Sequence, residues 1–287
     1  MVLRDALKKG IEILKLANID APAVEAGVIL CHILECDRVY IYAHGNRILN
    51  DEEQREFFSL IKMRAKGVPA QYITGHQEFM SLDFIVRPGV LIPRQDTEVL
   101  VEFVIKFTKS FASHNEPIKI LDIGTGSGCI AISLAHYINN SFVTGLDISE
   151  EALEIAELNA LRLGVADRVA FEKCDVLSEL KGQRFKHQYD IIVSNPPYIP
   201  EGDIAGLQRE VKDYEPVIAL NGGKDGLDFY RSIVSSALNC LKAHGLLAFE
   251  VGIGQAQTVK QLMGDDFYNI RIIKDLSKIE RVVAGLL

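Results

Sequence analysis

The tetrapeptide Asn195-Pro196-Pro197-Tyr198 follows the apolar run "YDIIVS" and holds the most chemistry per residue in the chain. Pro196 and Pro197 have fixed φ and no N–H to donate, so they stiffen the loop and leave its carbonyl oxygens as unopposed acceptors. Asn195 offers a side-chain acceptor, its amide oxygen. Tyr198 adds a flat aromatic face. Two fixed acceptors and a stacking face suit a planar NH2 group beside a π-system. Such a nitrogen is a poor nucleophile, because its lone pair is delocalised. Holding both of its N–H bonds fixes it in place and stabilises the charge that builds on it during alkyl transfer. A methyl sulfonium in line with it would complete a displacement that needs neither metal nor strong base. The proton could leave afterwards to water. A rigid strand exit with an Asn-Pro turn is the purely structural alternative.

A second cluster lies upstream. "LDIGTGSG" puts Gly124, Thr125, Gly126, Ser127 and Gly128 where a strand turns into a helix. Glycines allow a tight turn and close approach of a ligand, and the helix start offers free N–H donors. Asp147 ends the next strand, roughly 20 residues beyond Gly124, an offset at which an acid can bond ribose hydroxyls. Asp175 ends a third. A plain tight turn, a cap near Ser149 and a turn at Asp175 are the structural alternatives. The spacing is GxGxG rather than GxGxxG, and a nicotinamide enzyme shares the layout, so the glycines alone do not name the ligand.

These residues converge only if the strands lie side by side. From residue 118 the pattern alternates strand and helix: "IKILDIG", "CIAISLAHYI", "FVTGLDI", "EEALEIAELNALRL" capped by Ser149, "VAFEKCD", then "YDIIVSNPP". A helix near 226–243 leads to "GLLAFEVG", and "FYNIRIIKDL" and "IERVVAGLL" read as paired terminal strands. Apolar strands alternating with helices predict a parallel sheet covered on both faces, with ligands at the strand C-termini.

Residues 1–75 read as helices only. Leu3, Leu7, Ile11 and Leu14 form one apolar stripe, and "VEAGVILCHIL" is apolar nearly all round, as inside a bundle. Asp20 is placed to cap a helix beginning at Pro22. Asn50 is placed to cap "DEEQREFFSLIKMRAKG", which Gly67 can end. In residues 68–95 the helical period breaks, and short β-type runs around turns such as "RPG" predict a connector with a hairpin. Asp96 then reads as the cap of "TEVLVEFVIKFTKSF", with Glu98 at that helix's positive end.

The 287 residues are 48% hydrophobic and 24% charged, enough for a sizeable core. No apolar span of about 20 residues predicts a membrane helix, and the charged start is unlike a signal peptide, so a cytoplasmic location is expected. The five cysteines, Cys31, Cys36, Cys129, Cys174 and Cys240, form no CxxC pair, and His32 and His44 are not spaced to join them around a metal. The net charge is −8, all of it beyond residue 75, which argues against a nucleic-acid partner.

"DIIVSNPPY" after "DIGTGSGCIAI" resembles S-adenosylmethionine-dependent methyltransferases acting on amide or exocyclic amino nitrogens. "GVLIPRQDTEVLVE" (89–102), "SNPPYIP" (194–200) and "YEPVIALNGGKDGLDFYRSI" (214–233) narrow this to a resemblance to the HemK/PrmC family, protein-glutamine N5-methyltransferases of peptide-chain release factors. The helical start matches that family's small bundle. The resemblance implies an α/β fold: a Rossmann-like class I methyltransferase sheet of seven strands, the last pair antiparallel. It implies a helical bundle over 1–75 for release-factor docking, a β-hairpin connector over 76–95 and a methyltransferase domain over 96–287. Gly124, Thr125, Gly126, Ser127 and Gly128 would cradle the methionine part of S-adenosyl-L-methionine. Asp147 would bind its ribose, Asp175 and Val176 would flank its adenine, and Asn195 would border it.

Asn195 and the Pro196 carbonyl would grip the substrate amide, with Pro197 shaping the loop and Tyr198 packing on that amide. The implied substrate is the glutamine of the Gly-Gly-Gln loop in release factors 1 and 2. The implied enzyme is a monomer in the cytoplasm that contacts neither nucleic acid nor membrane. Val176 stands where relatives often carry an aromatic, and Gln95 where they usually carry proline. For Arg94 and Glu98, an ion pair or a cap weighs equally with substrate contact. Two other functions share these features: an amino-methyltransferase acting on adenine N6 or guanine N2 of a nucleic acid, and a module that binds the cofactor without catalysis.

Overall fold

The computed structural model describes residues 1–109, 116–180 and 185–287. The chain divides into two compact units, one of residues 1–76 with 208–214, the other of 77–207 with 215–287. The first contains α1 (Leu3–Leu16), α2 (Pro22–Leu34), α3 (Arg38–Ala43), α4 (Asp51–Ala65) and α5 (Ala70–Thr74). Leu3 and Leu14 are buried against Ile29, Leu30, Phe57 and Ile61, and Leu7 and Ile11 flank the same core. Asn50 and Glu53 form a reciprocal capping box at the start of α4, each side chain accepting from the other's backbone N–H. Gly67, at φ +101°, follows the end of that helix in the left-handed conformation that glycine accepts most readily.

Asp20 does not cap α2. The chain enters that helix through Ala21, which takes the N-cap at φ +46° without a side-chain bond. Helices α3 and α5 are too short to impose a period and escaped the sequence reading. A further short helix, α9 (Arg209–Tyr214), joins this first unit from far along the chain. The buried Arg64 guanidinium holds it: Nε donates to Glu25 at 2.8 Å and Nη2 donates to Glu210. Tyr214 also donates its hydroxyl hydrogen to the Lys66 carbonyl.

The second unit opens with a hairpin, β1 (His76–Phe79) and β2 (Leu82–Ile85), whose first residue still counts with the first unit. Its turn is Met80-Ser81, both at positive φ, and Arg87-Pro88-Gly89 forms a separate turn. The hairpin expected as a connector belongs to this unit's core: Phe79 and Phe84 are fully buried beside Val101 and Ile130. Asp96 is not a helix cap. The chain enters α6 (Glu98–Thr108) through a 3-10 turn over Gln95–Thr97, and the Asp96 carboxylate pairs with Arg281 at 2.7 Å. Ser110 and Phe111, the end of that predicted helix, lie outside the described residues.

The main sheet comprises β3 (Ile118–Ile123), β4 (Ser141–Asp147), β5 (Val169–Lys173), β6 (Tyr189–Ser194), β7 (Leu241–Glu250), β8 (Tyr268–Lys274) and β9 (Glu280–Leu286). Their order is β5-β4-β3-β6-β7-β9-β8, parallel as far as β7 and antiparallel at β9 and β8. Helices α7 (Cys129–Tyr137), α8 (Glu150–Arg162), α10 (Asp228–Cys240) and α11 (Ala256–Met263) complete the unit; α11 had no sequence prediction. In β6, Ile191 and Val193 enter one core and Ile192 the other, which is why these strands read as continuous apolar runs. Among the described residues no helix is long and apolar enough to cross a membrane.

Register places the chemistry. Ile123 pairs with Leu146 and with Ser194, and Ser194 pairs with Phe249. The next residue on each strand is Gly124, Asp147, Asn195 and Glu250. Four strands therefore deliver these residues in one row at the carboxyl edge, where a parallel sheet binds ligands.

Candidate active site

A cavity of about 320 Å3 opens along that edge, within the range of small-molecule sites. Of the residues singled out in the sequence, Gly124, Thr125, Gly126, Ser127, Asp147, Asp175, Val176, Asn195 and Pro197 line it. Gly128, Pro196 and Tyr198 lie outside the lining. A Cβ on Gly128 would come within 2.8 Å of Ile132 and 3.0 Å of Ala156, so this glycine lets α7 approach α8. Gly124 and Gly126 differ. Both have positive φ, and a Cβ on either would meet nothing within 4 Å. Their open α-carbons form a floor along which a ligand can lie against backbone.

Two carboxylates hold the glycine turn. Asp122 Oδ2 accepts from Thr125 Oγ1 at 2.7 Å and from Ala131 N–H at 3.2 Å. Its other oxygen is buried without a partner, and burial pushes its pKa up to about 7. Asp147 Oδ2 accepts from Gly126 N–H at 2.8 Å and Oδ1 from Ser149 N–H at 3.0 Å, while burial raises its pKa. Asp147 thus ties the turn to the second strand and faces the cavity. Ser149 caps α8, as its sequence position suggested. Asp175 accepts from Leu177 N–H and Ser178 Oγ, so it is a turn former that also lines the cavity. Val176 is buried, whereas the neighbouring wall residues Ile148 and Leu177 are exposed.

Asn195 points its amide nitrogen at Thr97 Oγ1, 3.1 Å away. The loop after it is clamped by the distant segment 217–226. Ile199 N–H donates to Leu220 O, Gly222 N–H to Ile199 O and Glu201 N–H to Gly223 O. Gln255 Nε2 donates to the Tyr198 carbonyl. Glycines permit this contact: a Cβ on Gly226 would lie 2.4 Å from Tyr198 O. Burial, then the nearby Glu250 charge, pushes the Tyr198 phenol up to about 12, so it stays neutral. Arg94 lines the cavity and places Nη2 2.6 and 2.7 Å from the two oxygens of buried Glu215. Glu98 accepts from Met80 N–H and fastens the hairpin turn. Among the described residues no group of three or more His, Cys, Asp or Glu side chains is arranged to hold a metal ion.

Sequence reasoning missed Thr97 and Phe229, which line the cavity, and also Asp122 and Glu250, which do not. Glu250 had a signal: it is an acid ending an apolar strand, the cue that selected Asp147 and Asp175. Thr97 has none, because its importance comes from a partner 98 residues away.

A parallel sheet of this order, closed by an antiparallel terminal pair, with a glycine turn after its first parallel strand, defines a class I methyltransferase fold. A methyltransferase from Pyrococcus furiosus superposes on 72% of this chain and 90% of its own at a TM-score of 0.52 and 20% identity. Residues 114–216 match the family model described as "Methyltransferase domain", and residues 5–75 match "PrmC N-terminal domain". The release factor glutamine methyltransferase of Clostridium acetobutylicum is 40% identical, covering 100% of this chain and 99% of its own. That of Moorella thermoacetica is 45% identical over 91% of this chain and 89% of its own. The chain belongs to the release factor glutamine methyltransferase family.

Proposed function

We infer that this protein transfers the methyl group of S-adenosyl-L-methionine to the side-chain amide nitrogen, N5, of the glutamine in the Gly-Gly-Gln motif of release factors 1 and 2. The observation that carries the reading is Asn195 at the cavity wall, in one row with Gly124 and Asp147. The residues present fit the cofactor. The open glycine floor suits its amino-acid part, Asp147 its ribose, and Asp175 the edge of its adenine. The apolar faces of Ile148, Val176 and Leu177 replace the missing aromatic. When bound, S-adenosyl-L-methionine supplies an electrophilic methyl on a sulfonium and leaves as S-adenosyl-L-homocysteine.

The chain's own residues do the rest. Asn195 Oδ1 and the Pro196 carbonyl accept the two N–H bonds of the glutamine amide and hold its nitrogen still. As the N–C bond forms, positive charge grows on that nitrogen, and the two acceptors stabilise it. Pro197 keeps the loop rigid, and neutral Tyr198 packs behind it. The proton departs to water once the nitrogen is cationic and strongly acidic.

The helical bundle docks on the release factor away from the glutamine, since one buried side chain gives little area for specificity. Exposed Val39 and Tyr42 on α3 are candidate contacts. The enzyme is taken to act as a monomer, and this substrate implies a cytoplasmic enzyme. The nucleic-acid alternative is set aside, because relatives at 40 to 45% identity are named for glutamine methylation and the net charge is −8. A non-catalytic module would not need Asn195.

Methyl transfer from labelled cofactor to purified release factor 1 or 2, with duplex DNA and RNA in parallel, tests this. Label on the release factors alone is expected; label on nucleic acid alone contradicts the reading. Asp147→Ala is expected to weaken S-adenosyl-L-homocysteine binding about 10- to 100-fold, the loss of one or two hydrogen bonds to a charged acceptor, read by calorimetry.

A further inference from the structure

Three polar groups from three elements meet at the cavity wall, two of them, Thr97 and Asn195, lining it. Asn195 follows β6, Thr97 precedes α6, and Glu250 ends β7. Asn195 Nδ2 donates to Thr97 Oγ1 at 3.1 Å, and the Thr97 hydroxyl is near enough to the Glu250 carboxyl to favour its ionised form. Thr97 and Glu250 are each 2% exposed. Glu250 Oε2 has no hydrogen-bond partner. A buried carboxylate left half-satisfied is unfavourable, so a role for it is worth seeking.

The direction of the hydrogens follows from donor counting. A threonine hydroxyl has one hydrogen, and an ionised carboxylate only accepts. The Thr97 hydrogen therefore goes to Glu250, which leaves Thr97 Oγ1 free only to accept. Asn195 must then offer its NH2 to Thr97, which turns Oδ1 the other way. The opposite rotamer would set an acceptor against an acceptor at Thr97. It would also set an NH2 donor against the substrate NH2, and the grip would be lost. We propose that Thr97, held by Glu250, is a positioning residue that locks the Asn195 carboxamide with Oδ1 facing the substrate nitrogen. This rests on the amide-grip reading of Asn195 and deepens it.

The lock depends on the charge of Glu250. A protonated Glu250 can donate to Thr97, which then can donate to Asn195, so both amide rotamers become acceptable. Burial is the main force raising the Glu250 pKa, to about 7. Thr97 opposes it, Asp96 adds to it, and Arg281 and Arg94 oppose it. Tyr198, Tyr230 and Cys129 also feel the Glu250 charge. Because the ionised form locks, kcat should rise as pH increases through about 7.

The test is kcat for release-factor methylation at saturating substrates, measured from pH 6 to 9 (a range of about one to two units either side of that midpoint). Thr97→Val is expected to lower kcat about 10- to 100-fold, the scale of a misplaced catalytic group, with the KM for release factor and the Kd for S-adenosyl-L-homocysteine little changed. Thr97→Ser restores the hydroxyl and should recover most of the loss. Glu250→Gln should abolish the rise through neutral pH. Wild-type kcat in Thr97→Val would overturn the proposal, as would an unaltered pH profile in Glu250→Gln, which also serves if the valine variant fails to fold. An inactive Asn195→Ala beside a fully active Thr97→Val sinks only the positioning role. A fully active Asn195→Ala sinks the amide grip itself.

Discussion

Asn195→Ala is expected to lower kcat for release-factor methylation by about 100- to 1,000-fold, the loss seen when one preorganised charge-stabilising group is removed. Cofactor binding should be nearly unchanged, because the glycine floor and Asp147 do not depend on this side chain. The size of the effect follows from what the amide oxygen does. A carboxamide nitrogen attacks weakly, and it becomes cationic only as the new bond forms. An acceptor fixed beside it acts mainly in the transition state, so its removal appears in kcat more than in KM. Stability should change little. The alanine removes one donor to Thr97, whose hydroxyl still has the Glu250 carboxyl nearby. Asn195→Asp separates shape from charge. It keeps the size but offers no N–H to Thr97 and sets a second acid beside Glu250, so it should also be slow. Single-turnover kinetics alongside calorimetry of S-adenosyl-L-homocysteine would check both variants.

Gly222→Val is the second large effect, and it acts from outside the cavity lining. A Cβ at position 222 would stand 2.8 Å from the Pro197 carbonyl oxygen, from the Tyr198 α-carbon and from the Gly226 α-carbon. All three atoms are backbone, so no side-chain rotation relieves the clash. The 217–226 segment would have to part from the loop, breaking the bonds that join Ile199 to Leu220 and Gly222. The Pro196 carbonyl and Asn195 sit at the start of that loop. Displacement of a positioned group by about 1 Å costs about 100-fold in rate, and the overpacking costs about 1–3 kcal/mol in stability. Gly202→Val is the matched control, since a Cβ there meets nothing within 4 Å. The comparison is kcat/KM and thermal unfolding of both variants beside wild type. Equal effects at positions 222 and 202 would remove the clamp from the account.

How far the sequence carried depended on the range of the interactions involved. The strands were legible because Ile191, Ile192 and Val193 alternate between two buried cores and so read as one apolar run. The capping box at Asn50 and the Ser149 cap were legible because each cap and its target lie three residues apart. Asn195, Gly124 and Asp147 were legible because parallel strands put their C-termini on one edge whatever the loops do. Asp20 and Asp96 were misread as caps. Ala21 enters α2 in the left-handed conformation, and Arg281 draws the Asp96 carboxylate away.

The remaining gaps come from partners far apart in the chain. Arg64 and Glu210 are separated by 146 residues, so nothing local shows that residues 208–214 belong with the helical unit. "NGGKDG" carried a family resemblance, yet its physical reason appears only when Pro197 and Tyr198 lie against it. Thr97 is an unremarkable residue in sequence, and it gains meaning only between Asn195 and Glu250.

The most direct measurement is tandem mass spectrometry of release factor 1 or 2 after incubation with this protein and S-adenosyl-L-methionine. A single added methyl is expected on the side-chain nitrogen of the Gly-Gly-Gln glutamine, absent with Asn195→Ala. An unmodified glutamine, or a methyl found elsewhere on the release factor, with a protein that binds the cofactor normally, would contradict it.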